Sequence, residues 1–244
     1  MDFDDLEILD LNGNNESIDF QIEIPQQEKV ELNQRMRIIN EIYDTEDSYV
    51  QGLKICIRYY YEPLIENNQL IPRDKLDEIF LHFPDVKETN SSFFEELSKS
   101  KKEGKIYDEI GKIFQRFSPY FKVYKMIVGN SEKVLEILKE CCESIEITKY
   151  LEKQRTMINA KTQLDLRSYL ITPVQRLPRY NLLLTELIKN TEKDHPDYDN
   201  LCKSLESFKE CTQFANDSVR QRERRDKLVI IAKSCEGIEE SDIV

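Results

Sequence analysis

The stretch "LITPVQRLPRYNLLL", residues 170–184, places two prolines between apolar runs that are typical of helix. A proline in a helix interior costs about 3 kcal/mol, because it removes a backbone hydrogen bond and its ring crowds the preceding turn. Pro173 is therefore predicted to begin a new helix in its first turn, where the missing N–H has no partner to lose. Pro178 is then tolerated with a local kink, since it still lies close to that first turn.

The same stretch carries two arginines, Arg176 and Arg179. One interpretation is that both point away from the apolar face of the helix. The other is that one of them braces the bundle by pairing with an acid from the first helix. The sequence leaves both interpretations open.

The composition predicts an all-α protein. Only 6 of the 244 residues are glycine and 8 are proline. A sandwich or barrel needs many turns, and turns favour these two residues. Hydrophobic residues make up 39% of the chain, which is enough for a core.

The first long helix is predicted to begin at Leu32 and to end near Pro63. Its apolar positions alternate in steps of four and three, which defines one seam on a helix. Such a length indicates an elongated multi-helix bundle. Glu46 is the only charged member of the seam, so its carboxylate is either paired inside the bundle or covered by another protein. The seam comprises Leu32, Met36, Ile39, Tyr43, Glu46, Val50, Leu53, Ile57, Tyr60 and Leu64.

Several helical segments follow the first helix. The segment "KIYDEIGKIFQRFSPYFKVYKMIVGNSEKVLEILKECCES" is predicted to break near Ser118–Pro119 and again at Gly129–Asn130. The only convincing apolar–polar alternation is "SIDFQIEI", residues 17–24, which predicts a short extended element.

Residues 1–31 form an acidic segment. They contain ten acids and one base, a net charge of −9 out of −12 for the whole chain. This composition predicts a disordered or regulatory tail. Its apolar side chains also make it a candidate docking segment. The helical domain is then expected over residues 32–230, with a C-terminal extension over residues 231–244.

Charge and hydropathy exclude several classes of protein. A net charge of −12 argues against a general nucleic-acid binder. The acidic N-terminus does not resemble a secretory leader, and no apolar run approaches the roughly 18 residues of a membrane span. A cytoplasmic protein is expected. Recruitment to an acidic membrane surface through the basic run 220–227 stays open.

No residue pattern supports covalent chemistry or a bound cofactor. The chain has two histidines, His82 and His195, and six cysteines without a C-x-x-C pair, so neither a zinc site nor a Cys/His nucleophile is predicted. The sequence also lacks a glycine-rich phosphate-binding loop. We therefore expect no metal, no cofactor and no covalent catalysis.

Three segments resemble the conserved blocks of the Dbl-homology (RhoGEF) domain family. The most specific is "LRSYLITPVQRLPRYNLLLTELIKNTEKDHPDYDNL", residues 166–201. "RIINEIYDTEDSYVQGLKI", residues 37–55, is similar to the first block of the family, and "FANDSVRQRE", residues 214–223, to the last. The blocks occur in the order that the family has, over roughly residues 33–230.

The resemblance implies an elongated helical bundle of the Dbl-homology type that accelerates nucleotide exchange on a Rho-family small GTPase without covalent chemistry. Matched residue by residue, Glu46 corresponds to a switch I contact, and Arg179 and Asn216 correspond to switch II contacts. Ile171 matches a selectivity position and weakly favours a Rac-like partner. Gln175 is a weaker contact candidate.

The sequence leaves other functions and a regulatory role of the tail open. A non-catalytic helical scaffold that binds proteins, or a membrane-shaping coiled coil, would also contain long helices. The acidic tail is a candidate for an intramolecular contact with the GTPase-binding surface, attracted by Arg176 and Arg179. The family usually places a pleckstrin-homology domain next, and the sequence does not decide whether the chain is a fragment of a longer protein.

Overall fold

A computed structural model describes the backbone of residues 26–67, 69–158 and 163–234. Within these ranges it describes the side chains from Gln34 onwards, except for several positions of the last helix after Phe214. These residues form helices and no strand, which confirms the predicted all-α bundle. The acidic tail up to residue 25 and the predicted extended element within it lie outside the described residues.

The first helix runs without interruption from Gln26 to Glu66. It consists of α1 (Gln26–Cys56), a π-helical turn (Ile57–Tyr61) and α2 (Glu62–Glu66). It therefore begins at Gln26 rather than at Leu32. The predicted seam faces the core, since Ile39, Val50 and Leu53 are completely buried.

The remaining helices complete the bundle. They are α3 (Arg73–Ile79), α4 (Phe83–Lys102), α5 (Ile106–Phe117), a 3-10 turn (Tyr120–Lys122), α6 (Val123–Cys141), α7 (Ile145–Met157), α8 (Leu166–Lys189) and α9 (Tyr198–Ser234). Helix α9 thus continues past the predicted domain boundary at residue 230. No helix in the described ranges is long and apolar enough to cross a membrane.

One predicted helix break is confirmed and the other is wrong. Helix α5 ends at Phe117, next to Ser118–Pro119, but α6 continues through Gly129–Asn130. A glycine costs a helix only about 1 kcal/mol relative to alanine. The burial of Ile127 and Val128, in the preceding turn, offsets this cost.

Helix α8 is also continuous, so the prediction that Pro173 begins a new helix is wrong. Both prolines lie inside the helix. The hydroxyl of Thr172 donates to the carbonyl of Tyr169 at 2.7 Å. In a regular helix that carbonyl would accept from the N–H of residue 173, which proline lacks. A neighbouring side chain therefore provides a donor for the carbonyl.

Helix α8 begins at Leu166, seven residues before Pro173. The carboxylate of Asp165 accepts the N–H of Ser168 at 2.7 Å and caps the helix. Burial on its own raises the pKa of Asp165, but the hydrogen bonds from Ser168 and the nearby charges of Arg155 and Arg167 together leave that pKa below its ordinary value. A capped N-terminus of this kind typically contributes about 1 kcal/mol.

The core is an aromatic cluster beneath α8. Tyr180 of α8 lies 5.2 Å from Phe208 of α9 and 5.3 Å from Phe121 between ring centroids, and Phe93 lies 4.9 Å from Phe114. All five rings are almost completely buried. Helix α8 packs against α1, α6 and α9. It is therefore central to the bundle and has one narrow face left for solvent.

Helices α5 and α9 approach each other closely at Gly111. The backbone N–H groups of Gly111 and Lys112 donate to the two carboxylate oxygens of Asp197, at 2.5 and 2.9 Å. A Cβ atom added at Gly111 would lie 2.8 Å from Asp197 Oδ2 and 2.9 Å from the backbone nitrogen of Leu201. Only glycine fits this contact without a backbone shift.

The Gly111→Ala substitution is therefore expected to lower the free energy of unfolding by about 1–3 kcal/mol, the usual cost of overpacking. Urea unfolding followed by circular dichroism measures it. Gly52→Ala is the matched control, because the nearest atom to its added Cβ is 3.8 Å away. It should leave stability unchanged or raise it by about 0.5–1 kcal/mol. Equal stability of the two variants would contradict the close approach.

Candidate functional site

Arg176 of α8 and Glu46 of α1 form a buried ion pair. Arg176 Nη2 donates to Glu46 Oε2 at 2.5 Å, and the two side chains are 4% and 0% exposed. Arg176 Nη1 also donates to the hydroxyl of Thr45 at 3.2 Å. The guanidinium lies over the ring of Tyr180, 4.5 Å from its centroid. The pair therefore links the two helices that the sequence motifs singled out.

The carboxylate of Glu46 is satisfied by residues of the bundle itself. Tyr180 donates to Glu46 Oε2 at 2.7 Å, and Asn90 of α4 donates to Glu46 Oε1 at 2.8 Å. Asn90 Oδ1 accepts from the hydroxyl of Tyr124 of α6 at 2.8 Å. The resulting network joins α1, α4, α6 and α8, which identifies it as a structural element of the core.

The protonation states of the network are fixed by burial and by the pair itself. Burial, reinforced by Glu46, raises the pKa of Tyr180 well above its ordinary value. Burial alone lowers the pKa of Arg176, but Tyr180 and Glu46 outweigh it and raise that pKa. Tyr180 therefore remains a donor, and Arg176 remains charged at physiological pH.

These contacts place the carboxylate of Glu46 inside the bundle. The carboxylate is completely buried, and its hydrogen-bond partners come from two other helices, α4 and α8. A contact of Glu46 with a bound GTPase stays a prediction. The interpretation that its carboxylate is paired inside the bundle is confirmed. The prediction that an arginine pairs with an acid from the first helix is likewise confirmed, whereas Arg176 does not point away from the apolar face.

Arg179 and Gln175 lie on the exposed side of α8, with half-buried Ile171 one further turn back. These three residues are spaced by four, which places them on one face of the helix. Leu182, 63% exposed, continues the same face. Arg179 Nη2 lies 3.4 Å from Oε1 of Glu41 of α1, so the face extends across to the first helix. These five residues are called the α1/α8 face below.

Glu41 and Leu182 were not predicted from the sequence. Glu41 lies outside the apolar seam of α1, which is the pattern expected of an outward-facing acid. Leu182 belongs to the run Leu182–Leu184, whose other two members are buried. Helical spacing from Arg179 is the signal that could have separated the exposed leucine from its neighbours.

Asn216 lies on α9, whose backbone is described there, but its side chain is outside the described residues. Helix α9 packs against α8. Asn181 Nδ2 of α8 donates to the hydroxyl of Thr212 of α9 at 2.6 Å. Asn216 follows Thr212 by one turn, so its backbone belongs to the helix next to the α1/α8 face.

The ion pair between Arg179 and Glu41 can open at little cost, which frees both side chains to contact another protein. Both side chains are about half exposed, at 49% and 52%. Exposed ion pairs contribute only about 0–1 kcal/mol, so breaking this one costs little. Arginine can instead make bidentate contacts with a carboxylate or with backbone carbonyls. The face combines this charged pair with the apolar side chains of Ile171 and Leu182, which is the composition of a protein-binding surface.

The comparisons with known proteins identify the class. The RhoGEF domain model matches residues 38–216, so the chain belongs to the RhoGEF domain family. The chain is similar to the Dictyostelium discoideum protein "Guanine exchange factor for Rac 30", with 33% identity over 84% of this chain and 12% of that protein. It is also similar to "Rac guanine nucleotide exchange factor JJ" of the same organism, with 31% identity over 86% of this chain and 18% of that protein.

Solved structures show the same fold. The DH/PH fragment of PDZ-RhoGEF, determined in complex with human RhoA, superposes with a TM-score of 0.74 and 25% identity, over 86% of this chain and 60% of that chain. The chain thus spans a small part of the curated relatives it matches and less than two thirds of this structural neighbour.

Proposed function

We propose that the chain is a guanine nucleotide exchange factor for a Rho-family small GTPase. The observation that carries this proposal is the α1/α8 face, which lies on the two helices that bear the best-matching RhoGEF motifs. Its exposed Arg179 and Glu41 form a surface ion pair that contributes little to stability. A Rac-like partner is favoured by Ile171 and by the names of the two Dictyostelium relatives.

The proposed mechanism is differential binding without covalent chemistry. An exchange factor that binds the nucleotide-free GTPase more tightly than the loaded one must weaken nucleotide affinity by the same factor. Each tenfold of that coupling requires about 1.4 kcal/mol. A thousandfold effect, about 4 kcal/mol, is within the range of a few desolvated, charge-assisted contacts.

The residues of the α1/α8 face and Asn216 of α9 divide this work between them. Arg179 and Asn216 would hold switch II in a form that disfavours the magnesium ion and the phosphates of the bound nucleotide. Glu46 stays the proposed switch I contact, and Glu41, an exposed carboxylate of α1 beside Arg179, would lie next to the bound GTPase. Gln175, Ile171 and Leu182 would supply the neighbouring contacts, and Ile171 the selectivity.

The test is release of a fluorescent GDP analogue from Rac-like, Rho-like and Cdc-like GTPases, with and without the chain. Acceleration for at least one GTPase, greatest for a Rac-like one, is the expected result. Binding of a GTPase without acceleration would favour the alternative function, a non-catalytic helical scaffold.

The proposed place of action is the cytoplasm. There the chain would be recruited to membranes and act in Rho signalling and in regulation of the cytoskeleton.

The acidic tail is proposed to restrain this activity by lying over the α1/α8 face. Burial of Arg176 removes one of the two charges that would attract it, so Arg179 remains as the contact. A chain that begins at Lys29 is then expected to exchange nucleotide faster than the full chain. The comparison of initial rates should be repeated at high salt, where screening weakens a charge contact. Equal rates at low salt would rule out the restraint.

A further inference from the structure

A cleft of about 350 Å³ lies on the side of the bundle formed by α6, α7 and the N-terminus of α8. Small-molecule sites in proteins are typically about 300–1,000 Å³, so the cleft is at the lower end of that range. None of its described lining residues belongs to the α1/α8 face. The cleft is therefore separate from the proposed exchange site.

The inner surface of the cleft is aliphatic. Leu138 and Leu166 are almost completely buried, and Leu135 and Leu151 are half-buried beside them. No aromatic side chain is found among the described residues that line it. A nucleotide or another flat ring system would lack a stacking partner here, whereas an alkyl chain needs only apolar contact.

Charged side chains surround the opening of the cleft, and two cations among them have no carboxylate partner among the described residues. Arg155 is paired with Glu152 at 3.4 Å, and Asp165 is occupied in capping α8. Arg167 lies close enough to Asp165 to contribute to its low pKa but makes no ion pair with it among the described contacts. Lys139, which is also exposed, has no hydrogen bond or ion pair to a described residue.

We propose that this cleft binds a single-chain anionic amphiphile, with its alkyl chain on the four leucines and its carboxylate between Lys139 and Arg167. An aliphatic interior, with two cations at its opening that no described carboxylate pairs, matches the two parts of such a ligand. Its volume suits one alkyl chain, and the carboxylate would gain charge-assisted hydrogen bonds at the solvent boundary. This inference is independent of the proposed exchange activity.

Isothermal titration calorimetry with decanoate, below the concentration at which it forms micelles, tests the proposal on the full chain. Decyltrimethylammonium has a similar alkyl chain with the opposite charge and serves as the ligand control. Decanoate should bind with a stoichiometry of one and at least about tenfold more tightly than the cation, since one charge-assisted contact already corresponds to that ratio. Absence of decanoate binding, or equal binding of both amphiphiles, would overturn the proposal.

Two variants then assign the binding to the cleft. The double variant Lys139→Glu/Arg167→Glu should weaken decanoate binding by at least about tenfold, whereas Lys102→Glu, which removes an exposed cation of α4, should not. Cys142→Phe introduces a ring at an exposed position of the cleft wall and should block binding of the alkyl chain. Circular dichroism verifies that each variant is folded. Unchanged affinity in both cleft variants would place the ligand elsewhere and refute the inference.

Discussion

Replacing Glu46 with alanine is expected to destabilise the bundle by about 3–5 kcal/mol, because the substitution leaves the buried Arg176 charge without its partner. The cost is large relative to the 5–15 kcal/mol that is typical of a whole domain. Tyr180 and Asn90 would also lose the carboxylate to which they donate. Urea unfolding of the wild type and the variant, with the same slope assumed for both, gives the difference directly.

A double variant shows whether the instability of Glu46→Ala comes from the unpaired Arg176 charge. Glu46→Leu/Arg176→Met removes both charges, and replacing a buried pair by apolar residues of similar volume is often neutral or stabilising. We therefore expect it to recover much of the stability that Glu46→Ala loses. A Glu46→Ala protein that is as stable as the wild type would contradict the structural role of the network.

Replacing Arg179 with alanine is expected to slow nucleotide exchange by at least about tenfold, which corresponds to 1.4 kcal/mol of lost transition-state binding. Stability should hardly change, because the side chain is 49% exposed and its pair with Glu41 is a surface pair. Initial rates of fluorescent GDP release, measured at several concentrations of the chain, give the ratio. Glu41→Ala should act in the same direction.

Arg116→Ala provides the matched control for Arg179→Ala. Arg116 of α5 is 51% exposed and pairs with Glu96 at 2.7 Å, so it resembles Arg179 in burial and pairing but lies outside the α1/α8 face. Exchange by this variant should equal that of the wild type. If Arg179→Ala and Arg116→Ala exchanged at the same rate as the wild type, the α1/α8 face would not be the site of exchange.

The helical architecture could be predicted from the sequence because it follows from local patterns. The four-and-three spacing placed Ile39, Val50 and Leu53 in the core, and the proline at 119 marked the end of α5. The helix breaks predicted at Gly129 and Pro173 were wrong because tertiary contacts outweigh the local preference of these residues. Packing of buried neighbours, and at Pro173 a hydroxyl donor from Thr172, compensates for a weak local propensity.

The site was harder to predict, because it depends on which carboxylate forms an ion pair with Arg176 and which with Arg179. The sequence showed Glu46 on an apolar seam and left two interpretations open. Only the position of α8 against α1 shows that Arg176 pairs with Glu46 in the core and Arg179 with Glu41 at the surface. These contacts join residues more than 100 positions apart, so no local pattern specifies them.

The most direct test of the proposed function is the affinity of the chain for a Rac-like GTPase in its nucleotide-free and GDP-bound forms, measured side by side by surface plasmon resonance. Exchange by differential binding predicts that the chain prefers the nucleotide-free form by at least a hundredfold, which corresponds to about 2.8 kcal/mol of coupling. Arg179→Ala should reduce that preference, and Arg116→Ala should not. Equal affinity of the wild-type chain for both forms would contradict the proposal that this chain catalyses nucleotide exchange.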